Sequence, residues 1–169
     1  LRYAIEKFKN TNLFFPLMTS LFFAMKECVF SKDGHMAQPL SFIGNKSKLY
    51  NVRNKSVFDI FKEKFRSFFS DGFVNCSNGN KTYNMDFESL IKQEDIINDV
   101  GFIYADPPYT DMQYSRYYHL LNIAAKYDYP HPTKISGKYT KGLYTENRFQ
   151  SKLSAKSTCL TAFNNLVAF

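Results

Sequence analysis

Cysteine is scarce in this chain. Its three cysteines, Cys28, Cys76 and Cys159, lie far apart among 169 residues, and no two form a Cys-x-x-Cys pair. An odd number at such spacing argues against a disulfide framework and against a zinc site. We therefore expect a reducing, cytoplasmic compartment and no bound metal.

Long apolar runs are also missing. The most apolar segment, Leu13–Met25, contains Pro16 and is followed directly by Lys26 and Glu27. It is too short to span a bilayer, and it lacks the layout of a signal peptide. We expect a buried helix there and no association with a membrane.

Acidic residues are fewer than basic ones. The chain has 22 Lys and Arg against 15 Asp and Glu, a formal charge of +7. Such a surplus favours a polyanionic partner. Residues 1–75 hold 12 basic and 6 acidic side chains, whereas residues 76–169 hold 10 and 9. The basic surplus therefore lies in the first 75 residues.

Helical patterns dominate that first part. Apolar residues recur at helical spacing across residues 1–30, and Asn10–Asn12 marks a break. Ser56 is placed to cap a second amphipathic helix, whose apolar face includes Phe61 and Phe65. We expect these helices to form a scaffold.

The middle of the chain changes character. Phe102–Ala105 is a run of apolar and aromatic residues that predicts a short buried strand. Asp106, Pro107, Pro108 and Tyr109 follow it, and the two prolines must leave the sheet as a rigid loop because proline has no N–H to donate. Ligands bind at the carboxyl ends of strands in open α/β sheets. We therefore predict a site for a flat polar substrate; the alternative is an acidic helix cap with a packed tyrosine.

A similar strand and helix precede this loop. Thr82–Met85 predicts a short strand, and a helix is expected to begin at Phe87. Asp86 and Phe87 would thus lie at the carboxyl edge of the same sheet. The alternative for Asp86 is a simple helix cap.

Two more helices are expected after the loop. The first runs from about residue 114 to Tyr127, and the second covers residues 155–169. One face of the first is lined by Tyr114, Tyr117, Tyr118, Leu121, Ala124 and Ala125. Gln113, Arg116 and His119 lie off that face. The second should turn Leu160, Phe163 and Val167 inward.

The segment between these helices is basic, glycine-containing and aromatic. Its cations include Lys134, Lys138, Lys141 and Arg148, and tyrosines alternate with them. Such a loop can bind backbone phosphates and support a displaced base. A flexible surface loop is the alternative.

The run Asp106–Leu121 carries a family resemblance. It reads Asp-Pro-Pro-Tyr-Thr-Asp-Met-Gln-Tyr-Ser-Arg-Tyr-Tyr-His-Leu-Leu. It resembles motif IV and the following helix of the D12-class (Dam-like) adenine-N6 DNA methyltransferases found in restriction–modification systems. The resemblance implies an α/β fold containing part of a Rossmann-like sheet. It also implies S-adenosylmethionine as methyl donor, double-stranded DNA as substrate and a cognate restriction endonuclease as partner.

The resemblance also implies roles for individual residues. Asp106 and the carbonyl of Pro107 would hold the target amine, Pro108 would keep the loop rigid, and Tyr109 would stack on a flipped adenine. Asp86 and Phe87 would bind the adenine of the cofactor, and Asp106 would lie near its methionine amino group. Lys134, Lys138, Lys141 and Arg148 would contact DNA.

One departure concerns the cofactor. The family's Phe-x-Gly-x-Gly loop is absent from the chain. Gly44, Lys46 and Lys48 superficially resemble its motif X, but no such loop follows, so we expect a DNA-facing or structural loop there. The chain begins at Leu1 without an initiator Met and ends at Phe169 in an apolar run, so we expect a piece of a longer protein.

The expected organisation follows from the order of these features. Residues 1–75 would form a helical, basic connecting or target-recognition region, and residues 76–169 the catalytic α/β half. The resemblance is closest over residues 81–127 and weak over 1–80. Two alternatives stay open: a non-catalytic DNA-binding fragment of a degenerate or split enzyme, and an amino methyltransferase acting on N4-cytosine, RNA or protein.

Overall fold

The computed structural model describes residues 1–32, 35–36, 38–70, 79–108, 111 and 113–168. Its α-helices are α1 (Arg2–Glu6), α2 (Phe14–Cys28), α3 (Lys46–Arg53), α4 (Val57–Ser70), α5 (Phe87–Leu90), α6 (Glu94–Ile97), α7 (Tyr114–Lys126) and α8 (Cys159–Val167). Strands β1 (Lys134–Ile135) and β2 (Lys138–Tyr139) and a 3₁₀ helix (Lys152–Ser154) lie between α7 and α8. No helix of the described part is long and apolar enough to cross a membrane.

The chain divides into two compact units. The first unit consists of Leu1–Ser77 and Arg116–Arg148, and the second of Asn78–Ser115 and Phe149–Phe169. Each unit is therefore built from two stretches of sequence. The helical character predicted for the upstream region is observed in α1 to α4, while its role in target recognition stays a prediction.

The core of the first unit lies among α1, α2 and α4. It consists of the buried side chains Ile5, Met18, Leu21, Ala24 and Phe61. Pro16 is tolerated in α2 because it lies in the first turn, where its missing N–H has no helical partner to lose. Ser56 caps α4 as predicted, since its Oγ accepts the N–H of Asp59 at 3.2 Å.

Helix α7 ends where the sequence predicts, and its buried residue lies off the face that the sequence groups together. Tyr127 has φ of 57°, a left-handed conformation that ends the helix. On the face that the sequence groups together, Tyr114 and Tyr118 are 43% and 53% exposed. His119 is buried, at 2% exposure. The ring of Tyr144 packs edge-on against its ring, with 5.5 Å between the two ring centroids.

A hairpin follows α7 in the first unit. β1 and β2 are antiparallel, with Lys134 opposite Tyr139 and Ile135 opposite Lys138. The two connecting residues, Ser136 and Gly137, have φ of 50° and 76°, as a type I′ turn requires. The side chains of this hairpin are exposed on both faces.

The two strands predicted before the site were wrong. Residues 102–105 and 82–85 form neither helix nor strand, and Phe102 and Tyr104 are 82% and 80% exposed. A strand needs a neighbour to accept its ladder hydrogen bonds. In the described residues the sheet contains only β1 and β2, so these segments have no such neighbour. The Rossmann-like sheet therefore stays a prediction.

Helix α8 is also turned differently from its prediction. Leu160, Phe163 and Val167 are 69%, 48% and 63% exposed, so placing them inward was wrong. Ala162 is the residue that α8 buries, at 2% exposure. Its small side chain lets the helix backbone approach its neighbours closely, which the larger residues of the predicted face would prevent.

Candidate functional site

The second unit contains a cavity of about 590 Å³. One wall is the extended segment Phe102–Pro108, and the others come from α5, α6, the start of α7 and the segment around Ser151. Most of the lining side chains are apolar or aromatic. A volume of this size lies within the range typical of small-molecule sites.

The predicted catalytic loop forms part of this wall. Asp106, Pro107 and Pro108 all line the cavity; Asp106 is exposed and the two prolines are half-buried. The prolines fix their own φ angles and thereby stiffen the backbone beside the carboxylate. Tyr109, the fourth predicted catalytic residue, lies outside the described residues.

Phe87 and Asp86 have different environments. Phe87, the first residue of α5, lines the cavity together with Asp106. Asp86 caps α5: its Oδ1 accepts the N–H of Ser89 at 3.0 Å, and its Oδ2 accepts the Ser89 hydroxyl at 2.9 Å. These two hydrogen bonds, the hydroxyl's first, lower the pKa of Asp86. The cap alternative for Asp86 is thus observed, while its contact with a cofactor stays a prediction.

Gln113 joins two walls of the cavity. Its Nε2 donates to the carbonyl of Ser151 at 3.2 Å, and its Oε1 accepts the Ser151 N–H at 2.7 Å. The side chain is buried, with 8% of the residue exposed. Sequence reasoning missed this role, although Gln113 lies in the Gln-Tyr pair that follows the catalytic loop.

Further polar contacts connect α5 to the 3₁₀ helix and to α8. Glu88 pairs with the Nζ of Lys152 at 2.5 Å and accepts a hydrogen bond from Asn165 at 3.3 Å. The Lys152 hydrogen bond, followed by that of Asn165, lowers the pKa of Glu88. The same contact with Glu88 raises the pKa of Lys152. The pair thus fixes α5, which carries Phe87 at its first position.

A smaller cavity of about 430 Å³ shares Pro108 and Leu153 with the first. Asp111, Lys156, Cys159 and the residues around Ser154 complete its lining. The Ser154 hydroxyl is buried and has no hydrogen-bond partner among the described residues. Residues of the proline loop therefore line two cavities of the same unit.

The predicted DNA-binding residues all belong to the first unit. Lys134 and Lys138 lie on the exposed hairpin, where Lys134 Nζ is 4.8 Å from the ring centroid of Tyr139. Lys141 is exposed after β2. Arg148 is half-buried, with its guanidinium 5.4 Å from the ring centroid of Tyr144. Their contact with DNA stays a prediction.

The loop around Gly44 is closed by its own polar groups. Gly44 has φ of 78°, and the Nδ2 of Asn45 donates to the carbonyls of Ser41 and Ile43 at 3.1 and 3.3 Å. Lys46 and Lys48 lie in the first turn of α3.

In the described residues, no group of three or more His, Cys, Asp or Glu side chains could hold a metal ion.

Comparison with known proteins identifies the family. The model of the D12 class N6 adenine-specific DNA methyltransferase family matches residues 9–167. The type II methyltransferase M.FokI of Planomicrobium okeanokoites is 43% identical over 88 residues, which are 52% of this chain and 12% of that protein. The type II methyltransferase M.NlaIII of Neisseria lactamica is 38% identical over 91 residues, 54% of this chain and 24% of that protein.

The matched stretches thus span less than a quarter of these curated relatives. No solved structure matches the chain. The family match covers the proline loop and cavity of the second unit and most of the first unit, which is wider than the sequence motif alone predicts. The family resemblance is confirmed: this chain belongs to the D12 class N6 adenine-specific DNA methyltransferases.

Proposed function

We propose that the protein transfers a methyl group from S-adenosylmethionine to the N6 amine of adenine in double-stranded DNA. The observation that carries the proposal is the placement of Asp106, Pro107 and Pro108 in one cavity with Phe87. The family match supports the reaction class, and the cavity supports the residues that perform it.

The lining of the cavity fits the proposed cofactor. S-adenosylmethionine has an adenine ring at one end and an ammonium group at the other, and it supplies an electrophilic methyl group. Phe87 offers an aromatic face for the ring, and the exposed carboxylate of Asp106 offers a partner for the ammonium. The apolar remainder of the lining would exclude water from the methyl group.

Asp106 and Pro107 would activate the target nitrogen. The lone pair of an adenine amine is delocalised into the ring, so the free amine is a poor nucleophile. The Asp106 carboxylate would accept one N6–H and the main-chain carbonyl of Pro107 the other, which directs the lone pair toward the methyl group. Pro107 and Pro108 would keep these two acceptors in position because proline restricts the backbone.

The target adenine must leave the duplex to reach this cavity. Tyr109 follows the two prolines directly and is proposed to stack on the extruded base. Lys134, Lys138, Lys141 and Arg148 are proposed to contact the DNA backbone, supported by the charge of all four and the exposure of the three lysines. We further propose a cytoplasmic location and a cognate restriction endonuclease, the latter because both relatives are named type II methyltransferases.

The test is methyl transfer to duplex DNA with labelled S-adenosylmethionine, followed by nucleoside analysis. We expect N6-methyladenine from the wild-type protein. Asp106→Ala removes one of the two acceptors, and we expect a fall of about 100-fold or more in kcat. Asp99→Ala is the matched control, because Asp99 is exposed in the same unit and lies outside the cavity.

Other products would contradict the proposal in distinct ways. N4-methylcytosine, or methylation of RNA or protein in place of DNA, would retain the loop chemistry and reject the substrate. Salt-sensitive DNA binding without any methyl transfer would indicate a non-catalytic DNA-binding protein. Unchanged activity of Asp106→Ala would remove Asp106 from the catalytic role.

A further inference from the structure

Two arginines share one tyrosine ring in the first unit. The guanidinium carbon of Arg116 lies 5.8 Å from the ring centroid of Tyr144, and that of Arg148 lies 5.4 Å from it. Arg116 belongs to α7, whereas Arg148 comes 32 residues later, so the fold brings two distant arginines to the same ring. We call this group the Arg116–Tyr144–Arg148 cluster.

The cluster has an uncompensated positive charge. No carboxylate of the described residues lies within salt-bridge distance of either arginine. The Nε atoms of Arg116 and Arg148 are buried and have no hydrogen-bond partner in the described part of the chain. Two like charges near one ring repel each other, and buried donors without an acceptor cost free energy. An anion beside the two guanidinium groups would offset the repulsion between their charges.

The backbone of Tyr144, whose ring both arginines approach, is itself held in place. The carbonyl of Tyr144 accepts the N–H of Thr133 at 2.6 Å, and its own N–H donates to the hydroxyl of Thr140 at 3.0 Å. The buried ring of His119 packs edge-on against Tyr144. His119 Nδ1 lies 2.9 Å from the carbonyl of Arg116 and donates to it, because a carbonyl can only accept. The cluster is therefore positioned by surrounding contacts.

We propose that the Arg116–Tyr144–Arg148 cluster binds one phosphate group of the DNA backbone. Guanidinium groups match phosphate oxygens with paired N–H donors, which a lysine ammonium cannot do. The exposed lysines of the hairpin provide point charges, whereas the cluster provides a positioned site for one phosphate. The assignment rests on the proposed DNA substrate and adds Arg116 and Tyr144 to the residues that contact it.

The test is the salt dependence of duplex DNA binding, measured by fluorescence anisotropy with several unrelated sequences. Loss of one phosphate contact lowers the slope of log Kd against log salt concentration by about one, which means about tenfold weaker binding near 0.1 M salt. We expect this change for Arg116→Gln and Arg148→Gln on every sequence. Arg66→Gln is the matched control, because Arg66 is an exposed arginine of α4 in the same unit and lies outside the cluster.

Four further variants separate a shared phosphate from general charge. The double variant should lose less affinity than the product of the two single losses, because both arginines hold one ligand. Tyr144→Leu should weaken binding without changing the net charge, whereas Tyr144→Phe should bind like the wild type. Arg148→Lys, which keeps the charge, should lose part of the affinity and fold normally by circular dichroism.

The outcomes distinguish this inference from the proposed function. If Arg116→Gln and Arg148→Gln change the slope no more than Arg66→Gln while wild-type protein methylates DNA, the phosphate site is rejected and the function stands. If the wild-type protein neither binds nor methylates duplex DNA, the proposed function fails, and the phosphate site fails with it. If the affinity loss of the double variant equals the product of the two single losses, a shared phosphate is rejected.

Discussion

The two compact units of the chain are stabilised in different ways. The first unit has a cluster of buried apolar side chains from α1, α2 and α4, including Leu21 and Phe61. Of the described residues in the second unit, Ala162 is the only buried apolar one. The second unit is instead joined by polar contacts, namely Gln113 with Ser151 and Glu88 with Lys152.

This difference has a physical consequence. Apolar burial is non-directional and tolerates small shifts, whereas a hydrogen bond depends on one partner at one distance. The proposed methyl-transfer cavity lies in the unit that depends on such directional contacts. Binding regions are generally drawn from the less stable parts of proteins, because they must open to admit ligands.

Removal of a core side chain should give the largest effect and should act on the first unit. Leu21 is 5% exposed in α2, and Leu21→Ala should lower the free energy of unfolding by about 2–5 kcal/mol. Leu160→Ala makes the same chemical change at a residue that is 69% exposed, so we expect less than about 0.5 kcal/mol. Urea unfolding measures the free energy of unfolding of both variants. Equal losses in the two would contradict the difference between the units.

Loss of one polar contact should give the next largest effect, confined to the second unit. Gln113→Ala leaves the N–H and carbonyl of Ser151 without their partner, which costs about 1–3 kcal/mol. Hydrogen exchange should then speed up at amides of the second unit and stay unchanged in α2 and α4. Gln93→Ala is the control, because its Nε2 makes one long, exposed contact of 3.4 Å. Faster exchange throughout both units would show that they are not independently stabilised.

The sequence predicts the helices of the first unit well because the relevant signals are local. The break at Asn10–Asn12, the Ser56 cap and the end of α7 near Tyr127 each depend on neighbouring residues. The contact between Gln113 and Ser151 spans 38 residues, and no local pattern encodes it. Phe102–Ala105 has strand-like residues, but a strand also needs a distant partner to pair with.

The candidate site was predicted through its motif more than through its surroundings. Asp106, Pro107 and Phe87 do line one cavity, although the strands expected to carry them are not observed. The sequence pattern of α7 missed His119, because its burial depends on Tyr144, a residue that follows 25 positions later. Contacts made by distant segments are therefore where the pattern fails.

Acidification should give the smallest effect, and the two units should respond to it at different pH values. The hydrogen bonds of Lys152 and Asn165 lower the pKa of Glu88 from its ordinary value of 4.5. A carboxylate with a lowered pKa stabilises the fold above its unfolded pKa, and this stabilisation is lost as the pH falls through the folded pKa. Lys152, whose pKa is raised from 10.5, contributes below that value and loses its effect as the pH rises through the folded pKa. The contact is therefore fully present between these limits.

We expect amide NMR signals of α5 and α8 to change below pH 4.5, before those of the core helices α2 and α4. Glu88→Gln should remove the part of this change due to Glu88 and leave that due to Asp86, whose pKa is also lowered. Glu63→Gln is the matched control, because Glu63 is an exposed glutamate of α4 in the first unit. Signals of α2 and α4 changing at a higher pH than those of α5 would reverse the comparison. In that case the ion pairs of Glu6 and Asp59, whose pKa values are likewise lowered, would matter more to the first unit than its apolar core does.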